Sequence, residues 1–288
     1  MKKTENRESE TIGTEKAGGN RILRRVLSAL CLCVTLGCLL YLGNYFWKSQ
    51  KSQNQVQNLK ELIQTDQTDQ TDQAEEDDRE PENPAMVEVN GRMIQAKYAD
   101  LYEENPDFIG WITIPDTKVD YPVMQNMEEN EYYIHRNFDG EYDGSGLPFL
   151  DNQCRIGEDA TSNLMIYGHN MKAGTMFAGI LKYQSEDFYK EHTQIRFDTL
   201  DGDGTYEVIA AFYSEIYPEE DETHFKYYEF FDAEDEDAFD AYVEQVKALT
   251  PYEIDATANY GDTLITLSTC AYHTENGRFA VVARKVEE

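Results

Sequence analysis

Val26 to Phe46 reads VLSALCLCVTLGCLLYLGNYF, twenty-one residues without a charge. No other feature restricts the chain as strongly. About 20 consecutive apolar residues span the hydrocarbon core of a bilayer as a helix, because only a helix satisfies its own backbone there. Arg21, Arg24 and Arg25 precede the run, and Tyr45, Phe46 and Trp47 close it. The basic flank predicts a cytoplasmic N-terminus, and the aromatic end fits a membrane interface. A cleaved signal peptide is the rival reading, but its apolar region is usually shorter, about 7–15 residues. The expectation is a basic cytoplasmic tail over 1–25, a single-pass anchor over 26–47, and everything after it outside the cell.

Charge divides the chain at the same place. Residues 1–51 hold nine Lys or Arg against four acids, and the rest holds 16 against 52. The formal net charge of −31 argues against nucleic acid, which needs a basic face. Residues 48–85 contain QTDQTDQTDQ and then AEEDDREPENP. Nothing there builds a core, so a disordered acidic linker is expected. As a coil it would reach roughly 30–40 Å.

Residues 86–288 form the expected globular domain. MVEVNGRMIQAKYADLYEENPDF reads as helical, ended by Asn105-Pro106. Eight short β runs follow: FIGWITIP, VDYPVM, LPFLD, NLMIYG, TQIRFDTL, TYEVIAAFY, TLITLSTC and RFAVVARK. Their number and spacing predict a closed or nearly closed sheet. Two helices interrupt it. One is MFAGILKYQ, and the other covers 232–249 with Phe239, Tyr242, Val243 and Val246 on one face.

The end of TLITLSTC carries the chemistry. Cys270 closes one apolar run, seven residues turn the chain, and Arg278 opens the next. Adjacent antiparallel strands make those two residues neighbours. A thiolate is a strong nucleophile that a nearby cation favours. A guanidinium can also donate to a carbonyl oxygen that becomes negative during acyl transfer. The bland alternative is a surface arginine satisfied by Glu275 or a carbonyl. Cysteine acyl chemistry also needs an acid/base. Among His135, His169, His192, His224 and His273, His169 is best placed, between a strand and a helix in NLMIYGHNMKAGTMF.

Cys270-Ala-Tyr-His273 has a metal-like spacing, but no second Cys/His pair completes a set of about four ligands. Five cysteines, three of them inside the apolar run, are too few for a disulfide framework. Cys154 is expected to be a free thiol in a loop.

TLSTC, the arginine eight residues later in NGRFAVVARK, and the upstream YGHNM together resemble the sortases, membrane-anchored cysteine transpeptidases of Gram-positive bacteria. NPDFIGWITIPDTKVDYPVMQ, NEYYIHRNFDG and IYGHNMKAGTMF place the likeness nearest class B. It covers roughly residues 86–288. The resemblance implies a mainly β fold with added helices: an eight-stranded sortase-type β-barrel, an N-terminal helix, and a helix in the long segment between the sixth and seventh strands. It implies His169, Cys270 and Arg278 as the catalytic trio, with no metal or organic cofactor. It further implies cleavage of an NPxT-like C-terminal sorting signal after Thr, through a thioacyl intermediate. The implied partners are surface proteins carrying that signal and a peptidoglycan-precursor amine, from lipid II or a cross-bridge. Asn130 and Ile134 align with the class B peptide groove, Ser268 with a serine near the substrate, and Thr269 with the oxyanion site. Core packing remains the competing role for Ile134 and Tyr133. Ala271 stands where some relatives carry a polar or acidic residue, so contacts from that position do not transfer.

Two other classes stay open at this level. An L,D-transpeptidase or a cysteine protease shares the nucleophile, although L,D-transpeptidases usually keep their histidine close to the cysteine. A non-catalytic binding domain on a stalk explains the anchor and the charge equally well.

Overall fold

Residues 13–71 and 85–286 are described by the computed structural model. They separate into two compact units, Met1–Lys51 and Ser52–Glu288. The helix α1, Gly13–Thr71, contributes residues to both. Among the described residues, one helix is long and apolar enough to cross a membrane. Its apolar run contains two aliphatic hydroxyls, Ser28 and Thr35, and both are satisfied within the helix. Ser28 Oγ donates to Arg24 O and Thr35 Oγ1 to Cys31 O, each at 2.8 Å. Such i−4 bonds let a hydroxyl sit in an apolar helix without an orphaned donor.

In the second unit, the end of α1 packs on the folded domain. Val56 and Leu59 are buried, 7 and 6 % exposed. Gln55 Nε2 donates to Asp139 Oδ2 at 2.8 Å, and Lys60 pairs with Asp120. This differs from the disordered linker expected over 48–85. The TDQ repeats dominate that composition, but four residues at helical spacing (Ser52, Val56, Leu59, Ile63) form a stripe before them, buried at the first three and half-buried at Ile63. Residues 72–84, the acidic part of the linker, lie outside the described residues.

The segment read as helical after residue 86 is mostly a hairpin. Strands β1 (Met86–Val89) and β2 (Arg92–Gln95) pair antiparallel, and only α2 (Ala99–Glu104) is α-helical. Asn90 and Gly91 have φ of 52° and 82°. Positive φ at both central residues is the two-residue hairpin turn that Asn-Gly favours.

The eight expected barrel strands all form. They are β3 (Phe108–Thr113), β4 (Asp120–Met124), β5 (Phe149–Leu150), β6 (Asn163–Tyr167), β7 (Gln194–Thr199), β8 (Thr205–Glu215), β9 (Leu264–Cys270) and β10 (Gly277–Val286). They close as β10-β8-β7-β3-β4-β5-β6-β9. Closure leaves the barrel without a free edge, and its interior is filled by side chains such as Ile112, Val123, Ile166, Phe197, Ile265 and Val281, all at 0 % exposure.

MFAGILKYQ forms a 3-10 helix over Phe177–Gln184, followed by α3, Glu186–Glu191. The helix expected over 232–249 is α4, Glu236–Leu249. It starts late because Asp235 caps it, accepting from Ala238 N at 2.9 Å. It ends at Thr250, the residue before Pro251, which takes an extended conformation. Its buried face is Phe239, Tyr242, Val243 and Val246, as the spacing predicts. This helix lies between β8 and β9, the sixth and seventh barrel strands. Three side-chain hydrogen bonds join the inserted segment to β6 and β9: Asn163 Nδ2 to Phe230 O at 2.7 Å, Tyr242 OH with Thr266 Oγ1 at 3.2 Å, and Tyr227 OH with Ser268 Oγ at 2.7 Å.

Candidate active site

The site follows from strand order. β6 and β9 are parallel neighbours, with Tyr167 opposite Ser268. Parallel strands end on the same side, so the residues after β6 come beside the end of β9. His169 and Cys270, 101 positions apart in sequence, therefore meet at one rim of the barrel. β10 then runs back antiparallel to β9, with Arg278 opposite Cys270. Ala271 N donates to Gly277 O at 2.9 Å. The 270/278 pair is consequently of the non-hydrogen-bonded kind, in which side chains stand closest.

All three side chains are half-buried and line one groove of about 290 Å³. Asn130, Ile134, Ser268 and Thr269 line it too. The groove thus gathers every residue that the sequence placed at the site. Their polar groups are largely committed within the protein, however. Asn130 donates to Asp151 Oδ2 at 2.9 Å and accepts from Asn152 N at 2.8 Å. Ser268 Oγ is engaged by Tyr227, and Thr269 Oγ1 donates to Gly168 O at 2.6 Å. Ile134 is half-buried in the groove wall, whereas Tyr133 is core, at 2 % exposure.

The histidine is held from behind. His169 Nε2 lies 2.8 Å from Ile134 O. A carbonyl only accepts, so Nε2 carries the hydrogen and Nδ1 is the nitrogen left for proton exchange. His135 stacks on this ring, centroids 5.1 Å apart and planes inclined by 24°. Burial lowers the His169 pKa below its ordinary value; the Ile134 bond partly opposes that, and His135 adds to it. Burial thus favours the uncharged imidazole over the imidazolium. Gly168 gives the loop its path. A Cβ there would stand 2.7 Å from the ring of Phe177, which is fully buried.

Arg278 is weakly held. Among the described residues, its one hydrogen bond is from Nη1 to Gly277 O at 3.1 Å. No described carboxylate pairs with it, Glu275 included, so most of its donor fork is available to a bound group. The other cysteine of the domain is different in kind. Cys154 is 1 % exposed, its thiol donates to Asn163 O at 3.3 Å, and burial pushes its pKa up to about 12. It is a free, buried thiol outside the groove.

Sequence reasoning missed part of the wall. Tyr167, Ile216 and Tyr228 also line the groove. Ile216 and Tyr228 lie in the stretch between β8 and α4, where no periodicity signals a side chain's direction. Tyr167 ends β6, and strand alternation alone could have placed it.

The sequence model of the Sortase domain family matches residues 112–286. The chain belongs to the sortase family. Two curated relatives are both Sortase B. The one from Listeria monocytogenes is 36% identical over 208 residues, 71% of this chain and 80% of that protein. The one from Staphylococcus aureus is 26% identical over 196 residues, 67% of this chain and 76% of that protein. Among solved structures, sortase B from B. anthracis in complex with AAEK1 is similar with a TM-score of 0.66 and 26% identity, covering 84% of this chain and 100% of that one. The S. aureus sortase B–substrate complex has a TM-score of 0.67 at 22% identity, covering 84% and 99%, a likeness of fold. The sortase is of class B, a cysteine transpeptidase that acts on sorting signals.

Proposed function

We propose that Cys270, His169 and Arg278 carry the transpeptidation, and that the signal is of NPxT type, cut after Thr. The observation that supports this most is the meeting of three strand ends: Cys270 opposite Arg278 across β9 and β10, with His169 beside them at the end of β6.

His169 Nδ1 takes the proton of the Cys270 thiol as the sulfur attacks the Thr carbonyl carbon, and the carbonyl electrons move onto oxygen. Arg278 donates to that oxyanion, where preorganised donors act most strongly. The C–N bond breaks as His169 Nδ1 delivers a proton to the departing amine, leaving a thioester on Cys270. An incoming amine attacks the thioester and loses a proton to Nδ1, and the thiolate leaves. The product is an amide and the enzyme is regenerated. The amine is proposed to come from a peptidoglycan precursor on the outer face of the membrane. α1 would hold the enzyme there, with residues 1–25 in the cytoplasm.

Quenched peptides carrying NPxTx, SPxTx and LPxTG, supplied with triglycine, test the reading by mass spectrometry. Amine-linked product cut after Thr, absent with Cys270→Ala, is the expected result. Hydrolysis without aminolysis at high amine would contradict transfer.

A further inference from the structure

The loop that carries His169 is stitched to the strand that carries Cys270 at three successive points. Gly168 N donates to Ser268 O at 3.1 Å, continuing the parallel ladder one rung past the end of β6. Thr269 Oγ1 donates to Gly168 O at 2.6 Å. In a parallel ladder the next rung would run from the backbone N–H of residue 170 to Cys270 O. Here the side chain supplies it: Asn170 Nδ2 donates to Cys270 O at 3.0 Å. The backbone of Asn170 meanwhile bridges to Met176, and His169 O accepts from Phe177 N at 2.9 Å. The loop has therefore left the sheet in order to present His169, and the Asn170 amide keeps it fastened to the nucleophile's own carbonyl.

We infer that Asn170 is a positioning residue for the transpeptidation, its amide replacing the last rung of the β6–β9 ladder and fixing His169 against Cys270. The inference rests on the assignment of those two residues proposed above. Asn suits the task because its amide presents a donor on a short side chain, where an aspartate would offer only acceptors to a carbonyl. A misplacement of about 1 Å between reacting groups costs on the order of a hundredfold in rate.

The test uses the full-length protein in detergent, the NPxTx peptide it cleaves best, and triglycine. Asn170→Asp, nearly isosteric, is expected to lower kcat tenfold or more, with KM changed by about twofold or less and little change in Tm. Asn170→Gln keeps an amide donor and is expected to recover part of the loss. An unchanged kcat for Asn170→Asp, or a loss of rate that only tracks a loss of Tm, overturns the inference. Cys270→Ala and His169→Ala are measured beside it. Turnover surviving in either sinks the underlying assignment. If both are inactive while Asn170→Asp keeps its kcat, the positioning role alone is wrong.

Discussion

Arg278 stands directly opposite Cys270 on adjacent antiparallel strands, eight residues away along the chain and nearest neighbour across the sheet. Its guanidinium has no carboxylate partner among the described residues. A cation left unpaired beside a thiol is poorly explained as a structural element and well explained as a donor to a charge that develops during reaction.

Arg278→Ala should lower kcat by about a hundredfold or more, the usual loss when an oxyanion donor is removed. Arg278→Lys should restore little, since an ammonium lacks the planar fork. Steady-state kinetics with a quenched NPxTx peptide reads both variants. Activity within about threefold of wild type in Arg278→Lys would reduce the role to bulk charge.

His169 should protonate only below its ordinary value near 6.5, because burial disfavours the charged ring. The unfolded chain then takes up the proton first as pH falls. This residue's contribution is absent above about 6.5 and destabilises the fold progressively below it. His135→Gln removes the neighbour whose electrostatic effect lowers the His169 pKa, and should raise the His169 midpoint. Histidine-ring NMR over a pH series measures both effects; a midpoint above the ordinary value in the wild type would contradict the burial argument.

Leu59→Ala should destabilise the catalytic domain by about 2–3 kcal/mol, the lower range for a buried leucine. At about 2–4 °C per kcal/mol for a domain of this size, that is a visible drop in Tm. Thermal unfolding followed by near-ultraviolet circular dichroism checks it. A Tm identical to wild type would mean that residues 52–63 act only as a tether.

In the native protein, iodoacetamide should label Cys270 and leave Cys154 untouched until denaturant is added. The contrast comes from burial: Cys154 is 1 % exposed and its thiol is held up at about 12, whereas Cys270 opens on the groove. Peptide mapping after timed alkylation distinguishes them, and early labelling at Cys154 would show that its pocket opens.

Much of this architecture is legible in the sequence because the barrel strands are short, apolar and cleanly separated by turn residues. The 270/278 pairing is legible because a hairpin loop fixes register. The failures have physical causes. Asn90-Gly91 is a strong hairpin signal, but Ile94, Tyr98 and Leu101 fall at helical spacing and mask it. Val56 and Leu59 pack through a stripe too short to stand out beside the polar repeats. The meeting of His169 with Cys270 depends on β6 and β9 being parallel neighbours, which no local pattern announces; the family likeness supplied it. Asn170 was visible only as a flank of His169, and its bond to Cys270 O is a property of the folded loop.

The most direct test of the account is the acyl-enzyme itself. The full-length protein is mixed with an NPxTx peptide without added amine, quenched in acid, digested and mapped by mass spectrometry. The account predicts a peptide ending in Thr attached to Cys270 through a thioester, which hydroxylamine releases and Cys270→Ala abolishes. A product that accumulates with no adduct on Cys270, or an adduct on any other residue, would contradict it.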